Sequence, residues 1–118
     1  MPNVDLAGNN LIVDSIQISK STATLVSNAA TVTKLAGTIT TESLTTAAGA
    51  SQAFTITLVG LVAGDIASIQ RAGGSNTRQN YSYSAVVTTN TLTVTVYNNE
   101  PTNALNGTLI FNYVITKK

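Results

Sequence analysis

The side chains that most often perform acid–base or nucleophilic chemistry are missing from this chain, which has no histidine and no cysteine. The usual nitrogen and sulfur ligands of zinc and copper are missing with them. The serine hydroxyls also lack a histidine that would activate them as nucleophiles. We therefore expect no nucleophilic, histidine-dependent or transition-metal site.

Paired carboxylates are the remaining route to catalysis, because glycoside hydrolysis needs only two acids at a defined separation. The five acidic residues are far apart in the sequence and fall at expected turns or exposed strand positions: Asp5, Asp14, Glu42, Asp65 and Glu100. Asp65 and Glu100 are the pair to test first. The wide spacing favours a role at the solvated surface, and we predict that the protein is not an enzyme.

Two loops contain residue types that bind ions in other proteins, but neither has a complete pattern. A calcium loop needs several acids close in sequence, whereas Asn98-Asn99-Glu100 offers one and is simply explained as a turn before Pro101. The loop 73–78 has two adjacent glycines but lacks the Gly-Lys-Ser/Thr motif and the following helix of a phosphate-binding loop. We expect neither a metal nor a cofactor.

Tyr81 and Tyr83 lie on the same face of a predicted strand. Paired aromatic rings of this kind stack sugars or anchor protein interfaces, because they combine a large apolar surface with a polar hydroxyl. Packing within the sheet is the simpler alternative. The two tyrosines are therefore candidates both for contact with a partner and for the core.

Alternation of apolar and polar residues dominates the chain and predicts strands with one buried face. Thr91–Val96 and Phe54–Leu58 show it most clearly and are predicted to be equivalent elements. Further strands are predicted at Leu11–Ser19, Val32–Thr40, Asp65–Gln70, Asn80–Thr88 and Gly107–Thr116. The segment Thr45–Ala53 is predicted to be a loop. The last strand is apolar on both faces, so it is either central in a sheet or covered by a neighbouring subunit.

Polar turns separate these strands at short intervals, which predicts an all-β fold: a single antiparallel β-sandwich or a jelly-roll-like barrel. Residues 11–118 are predicted to form this one β domain, preceded by a short N-terminal arm at residues 1–10. The arm carries the small apolar set Pro2, Val4 and Leu6, which we expect to order on a partner surface. An ordinary frayed terminus is the alternative.

Composition restricts the classes of partner. Charged residues make up 9% of the chain, against about 25% in typical domains, and about 20 threonines supply much of its polarity. The net charge is +1 and the basic residues are scattered, so we expect no nucleic-acid partner. No apolar run approaches the ~20 residues that span a bilayer, and no signal peptide is evident at the start. We therefore expect no membrane partner and synthesis in a cytoplasm.

Two stretches carry a resemblance to a known group of proteins. They are residues 41–50 (TESLTTAAGA), followed by the strand Phe54–Leu58, and residues 104–110 (ALNGTLI), which precede the closing strand. Over roughly residues 37–118 the chain resembles the small capsid decoration, or cement, proteins of tailed phages, cyanophages among them. The resemblance implies a structural virion protein that binds the outside of an HK97-type capsid and stabilises the shell.

The same resemblance implies the partners and the location. They are the major capsid protein of the phage and further copies of this chain, with a trimer expected and a dimer as the alternative. The protein would be made in the host cytoplasm and end on the capsid exterior. Capsid or subunit contacts are expected at Pro2, Val4, Leu6, Tyr81 and Tyr83. The alternative function is a head-fibre or tail-fibre domain that recognises host surface glycans through the two tyrosines and the polar turns.

Overall fold

The computed structural model describes residues 20–118, and this part of the chain contains eight β-strands and no helix. The strands are β1 (Lys20–Thr24), β2 (Ala29–Thr31), β3 (Ala36–Thr40), β4 (Ser51–Thr57), β5 (Ile66–Gly73), β6 (Tyr81–Thr88), β7 (Thr91–Asn98) and β8 (Ile110–Thr116). The predicted all-β class is confirmed. The predicted arm at residues 1–10 and the predicted strand Leu11–Ser19 lie outside the described residues.

The strands form two four-stranded sheets. The first sheet has the order β1-β3-β8-β5, and the second sheet has the order β2-β4-β7-β6. The prediction of purely antiparallel sheets is wrong, because β1 runs parallel to β3 and β2 runs parallel to β4. Parallel neighbours need a crossover connection. Here the chain provides it by alternating between the sheets, so that β2 separates β1 from β3 and β3 separates β2 from β4.

One hydrophobic core lies between the two sheets and receives side chains from both. The largest contributors from the strands are Ile39, Phe54, Ile56, Leu92, Val94, Val96, Phe111, Tyr113 and Ile115. Period-two alternation sends these side chains inward and the threonines outward, so Thr55 pairs with Thr93 and Thr57 with Thr91 on the outer face. Burial of each such apolar side chain contributes roughly 1.5–3 kcal/mol. The equivalent strands expected at Phe54–Leu58 and Thr91–Val96 are β4 and β7, which are direct antiparallel neighbours.

The closing strand β8 is central in its sheet, between β3 and β5. Its inward residues Phe111, Tyr113 and Ile115 are buried by the second sheet. Its outward face also carries apolar side chains, and Val114 there is 51% exposed. The central position of β8 therefore explains why its inward face is apolar. It does not explain the apolar residues of the outward face, which remain exposed to solvent in the single chain.

Several strand boundaries differ from the predicted ones. The strand predicted at Val32–Thr40 begins only at Ala36, because the N–H groups of Thr33 and Lys34 donate to the side-chain hydroxyl of Ser21 and not to a backbone carbonyl of a neighbouring strand. The strand predicted from Gly107 begins at Ile110. The predicted loop Thr45–Ala53 ends early, since its last three residues already belong to β4.

Candidate functional site

A groove of about 550 Å³ opens between the two sheets on the side where β5 and β6 face each other. Its lining residues are Arg71, Gln79, Tyr81, Ser82 and Tyr83. β5 and β6 are each the last strand of their sheet, so no further strand within residues 20–118 closes this side. The groove is largely open to solvent. The structure thus brings both candidate tyrosines into one concave site.

At this groove Tyr83 of the second sheet contacts residues of the first sheet. The alternation of β6 turns Tyr81 and Tyr83 towards the core. The Tyr83 ring meets Phe111 of the first sheet edge to face, with ring centroids 5.0 Å apart. Its hydroxyl accepts a hydrogen bond of 3.1 Å from the backbone N–H of Arg71 in β5. Because Tyr83 is engaged at both its ring and its hydroxyl, it holds the floor of the groove in place.

Tyr81 begins β6, and its ring centroid lies 6.4 Å from that of Tyr83. The guanidinium carbon of Arg71 lies over the Tyr81 ring, 6.0 Å from its centroid, which is within the range of a cation–π contact. Burial raises the pKa of Tyr81 although the positive charge of Arg71 opposes the shift. The Tyr81 hydroxyl is therefore protonated at neutral pH and can act as a hydrogen-bond donor.

Sequence reasoning missed Gln79, Ser82 and Arg71, of which only Arg71 is charged. It pairs with Phe111 in the sheet register and so shares the inward face of β5, and a β-bulge follows it before Gly73. Its Nε donates to the Gly73 carbonyl at 3.1 Å, and Nη2 donates to the Asn76 carbonyl at 3.4 Å. Its proximity to Tyr81 depends on how the two sheets pack, for which the local sequence gives no signal.

Asp65, one of the two acids considered for catalysis, is part of a structural turn. Its carboxylate accepts hydrogen bonds from the backbone N–H groups of Val62 and Lys118 at 3.0 Å each and forms an ion pair with Lys117. The hydrogen bond from Lys117, followed by those from the two N–H groups, lowers the pKa of Asp65 to about 2. A carboxylate with this pKa is a weak base, and its oxygen atoms are already occupied.

Glu42 and Glu100 have comparable turn contacts. Glu42 accepts a hydrogen bond from the Asn28 N–H at 2.7 Å, and Glu100 accepts one from the Asn80 N–H at 3.1 Å. In the described part of the chain, no cluster of three or more histidine, cysteine, aspartate or glutamate side chains is placed to hold a metal ion. Asp5 and Asp14 lie outside the described residues.

The outward face of the second sheet, which we call the threonine face, carries no charged side chain in the described strands. Its residues are Ala29, Thr31, Ser51, Ala53, Thr55, Thr57, Ser82, Ser84, Val86, Thr88, Thr91, Thr93, Thr95 and Tyr97. Val86 is 60% exposed and Tyr97 is 42% exposed. The corresponding face of the first sheet carries one charged strand residue, Lys20. Both broad surfaces are therefore nearly neutral.

Of the contact residues predicted from the sequence, Tyr81 and Tyr83 lie in the groove, whereas Pro2, Val4 and Leu6 lie outside the described residues. The described residues form no helix of the length and apolarity needed to cross a membrane. No protein-family model, curated protein or solved structure matches this chain.

Proposed function

We propose that this protein is a non-enzymatic structural component of a phage virion, a decoration protein that binds the outside of an HK97-type capsid and stabilises the shell. The observation that supports this most is the uncharged threonine face. Copies crowded on one particle would repel one another if these faces carried charge of one sign. Exposed Val86 and Tyr97 add apolar area of the kind found at the centre of protein interfaces.

The stabilising effect would be thermodynamic. A protein that binds the assembled shell but not loose subunits stabilises the shell by RT ln(1 + [L]/Kd) per site. Many weak contacts on one particle then act together, since each shell presents many equivalent sites. The major capsid protein is the proposed partner, and a homotrimer is the proposed assembly, with a dimer as the alternative.

The contact surface of this proposal has three parts. The threonine face is the main one, and the predicted contact residues Pro2, Val4 and Leu6 would extend it along the capsid. Tyr81 and Tyr83 would contribute at the β6 edge. In fold terms we propose a β-sandwich in preference to a jelly-roll-like barrel, because the two sheets share a core while their strand orders stay separate.

Expanded capsids of the parent phage, assembled without this protein, provide the direct test. Purified protein is expected to bind them saturably and to raise the temperature at which they release DNA or lose their shell. Thr93→Glu places a charge at the middle of the threonine face, where Thr93 pairs with Thr55 and Val86, and is expected to weaken binding at least about tenfold. Thr22→Glu, on the outward face of the first sheet, is the matched control.

Two results would contradict this proposal. Failure of the wild-type protein to bind intact shells would reject capsid decoration. Wild-type affinity of the Thr93→Glu variant would instead reject the threonine face as the contact surface. Sedimentation analysis of the free protein at several concentrations separates the proposed trimer from a dimer or a monomer.

The groove favours a second candidate function, recognition of host surface glycans by a head-fibre or tail-fibre domain. Tyr81 and Gln79 offer an aromatic ring and an amide around one concavity. Sugars are bound by such combinations, because their C–H faces pack on aromatic rings while their hydroxyls pair with amide and hydroxyl groups. Binding of the isolated protein to a glycan array would support this candidate, and an absence of binding would count against it.

A further inference from the structure

The Arg71 guanidinium in the groove retains unused binding capacity. Two of its five N–H donors are engaged, by the carbonyls of Gly73 and Asn76. The single ion pair found within residues 20–118 joins Lys117 to Asp65, so no described carboxylate neutralises Arg71. An arginine with free donors beside an open concavity is suited to a planar, negatively charged oxygen group.

The other lining residues indicate what such a group would be attached to. Tyr81 supplies a partly exposed aromatic ring, and Gln79 supplies an exposed amide along the same groove. This set matches a ring with an apolar face and a rim of hydroxyls. Arg71 is the only cation among the lining residues, which fits one carboxylate better than a phosphate, since phosphate sites commonly combine several donors with greater positive charge.

We propose that the groove binds an acidic saccharide, with a sugar carboxylate on the Arg71 guanidinium, the sugar ring against Tyr81, and sugar hydroxyls on the Gln79 amide. This inference rests on the second proposed function, glycan recognition, and specifies its ligand class. It is independent of capsid decoration. Tyr83 has a positioning role, because its hydroxyl and ring fix β5 against β6 and so set the width of the groove.

The test measures binding of the wild-type chain to three probes by calorimetry and by perturbation of amide resonances. Trigalacturonate and sialyllactose carry carboxylates, and methyl-esterified trigalacturonate has the same ring and hydroxyl pattern without the charge. The acidic probes are expected to bind at least about tenfold more tightly than the ester. The perturbed amides are expected to be those of Gln79, Tyr81 and Ser82.

Variants then separate charge from stacking. Arg71→Gln is expected to remove the preference for the acid over the ester. Arg78→Gln is the control and is expected to keep this preference, because Arg78 lies outside the groove lining and its Nε donates to the Ala104 carbonyl. Tyr81→Ala is expected to weaken all three probes by about tenfold, and Tyr81→Phe to retain binding because the ring remains. Resonance dispersion of each variant verifies that it is folded, and the wild-type measurements test the site independently of any variant.

Three other outcomes would each reject a different part of this proposal. Equal affinity for acid and ester would reject the acidic class while leaving glycan recognition standing. Binding that perturbs residues elsewhere would reject the groove as the site. An absence of binding to all three probes and to a broader glycan array would reject both the inference and the glycan-recognition function, and would leave capsid decoration unaffected.

Discussion

The two ends of the paired sheets are stabilised by different chemistry. At the charged end, where β5 begins and β8 finishes, Lys117 bridges the Asp65 carboxylate and the Gly60 carbonyl. At the opposite end, where β5 finishes and β8 begins, the buried amides of Asn76 and Asn98 bind the loop backbone, and we call this the neutral end after them. More exposed charged side chains also contact the backbone there, namely those of Glu42, Arg71, Arg78 and Glu100. Loop backbone groups are thus satisfied in two ways, by an ion pair that depends on ionisation and by amides that do not.

The neutral end has the denser set of side-chain hydrogen bonds. Asn98, which is 1% exposed, donates to the carbonyls of Thr46 and Asn103 and accepts from the Glu100 N–H. Asn76 joins the β5–β6 loop to the β7–β8 loop in the same manner, by accepting a hydrogen bond from the Asn106 N–H at 3.0 Å. Neutral amides serve as both donor and acceptor. The contacts of these two amides are therefore expected to persist over a wide range of pH and salt.

The largest predicted effect is at Gly74 in the neutral end. Its φ of +119° is rarely adopted by other residues, and a Cβ there would lie 2.2 Å from the Thr108 carbonyl oxygen. Gly74→Ala is expected to lower the free energy of unfolding by about 4 kcal/mol, measured by urea denaturation. Gly49→Ala is the control, since Gly49 has φ +75° but nothing within 4 Å, and about 1 kcal/mol is expected. Equal losses would show that the loop around Thr108 moves to relieve the contact.

The second-largest predicted loss of stability is at Asn98. Asn98→Ala removes three hydrogen bonds made by a side chain that is 1% exposed, two donated to carbonyls and one accepted from an N–H, so it is expected to reduce the free energy of unfolding by about 3 kcal/mol. The exposed neighbour Asn99 is the control, and Asn99→Ala is expected to change stability by less than about 0.5 kcal/mol. A similar small loss at Asn98 would mean that water replaces its contacts and that the neutral end is not held by this amide.

A smaller effect is predicted at the charged end, and it depends on pH. The pKa of Asp65 is about 2 in the folded chain, below its ordinary value of 3.8, so the unfolded chain binds this proton more tightly. The stabilisation from Asp65 is therefore complete above the ordinary value and is lost as the pH falls towards 2. Denaturation across this window is expected to show a loss in the wild type that Asp65→Asn lacks, whereas the loss caused by Asn98→Ala stays constant.

Titration of the Asp65 carboxyl by NMR tests the cause of this shift. Lys117→Met removes the largest contribution and is expected to raise the pKa of Asp65 towards its ordinary value. The two backbone N–H donors remain in this variant, so the pKa is expected to stay below 3.8. An unchanged pKa would assign the shift to the backbone alone.

The smallest predicted effect is that of salt. Raising the ionic strength from about 0.01 M to about 1 M shortens the Debye length roughly tenfold and weakens pairs that contact solvent, such as Lys117 with Asp65. The stability difference between wild type and Lys117→Met is expected to shrink over this range. The difference between wild type and Asn98→Ala is expected not to change, and any salt dependence there would show that the Asn98 contacts depend on neighbouring charges.

The sequence was informative where large apolar residues alternate with threonine. β4, β6 and β7 were predicted because alternation marks the buried face directly. β1 and β2 were missed, since their only residues packed against the core are the small Ala23 and Ala30. Their parallel pairing was also missed, because strand order depends on connections between sheets and not on local pattern.

The groove could be predicted only in part for the same reason. Two tyrosines spaced two residues apart on one strand share a face, and this periodicity identified Tyr81 and Tyr83. Arg71 is ten residues away in the sequence from Tyr81 and lies on the other sheet, so only the packing of the sheets places its guanidinium over that ring. Sites formed between layers require the tertiary structure, whereas sites formed along one strand do not.

The position of β8 has a consequence for biosynthesis. β8 occupies the interior of the first sheet, yet it follows all the other described strands in the chain. During translation β5 leaves the ribosome before its only partner in the first sheet, and it stays unpaired until β8 has emerged. Until then the nascent polypeptide exposes unpaired strand edges that can join another chain, so arrest of translation before Ile110 would favour aggregation.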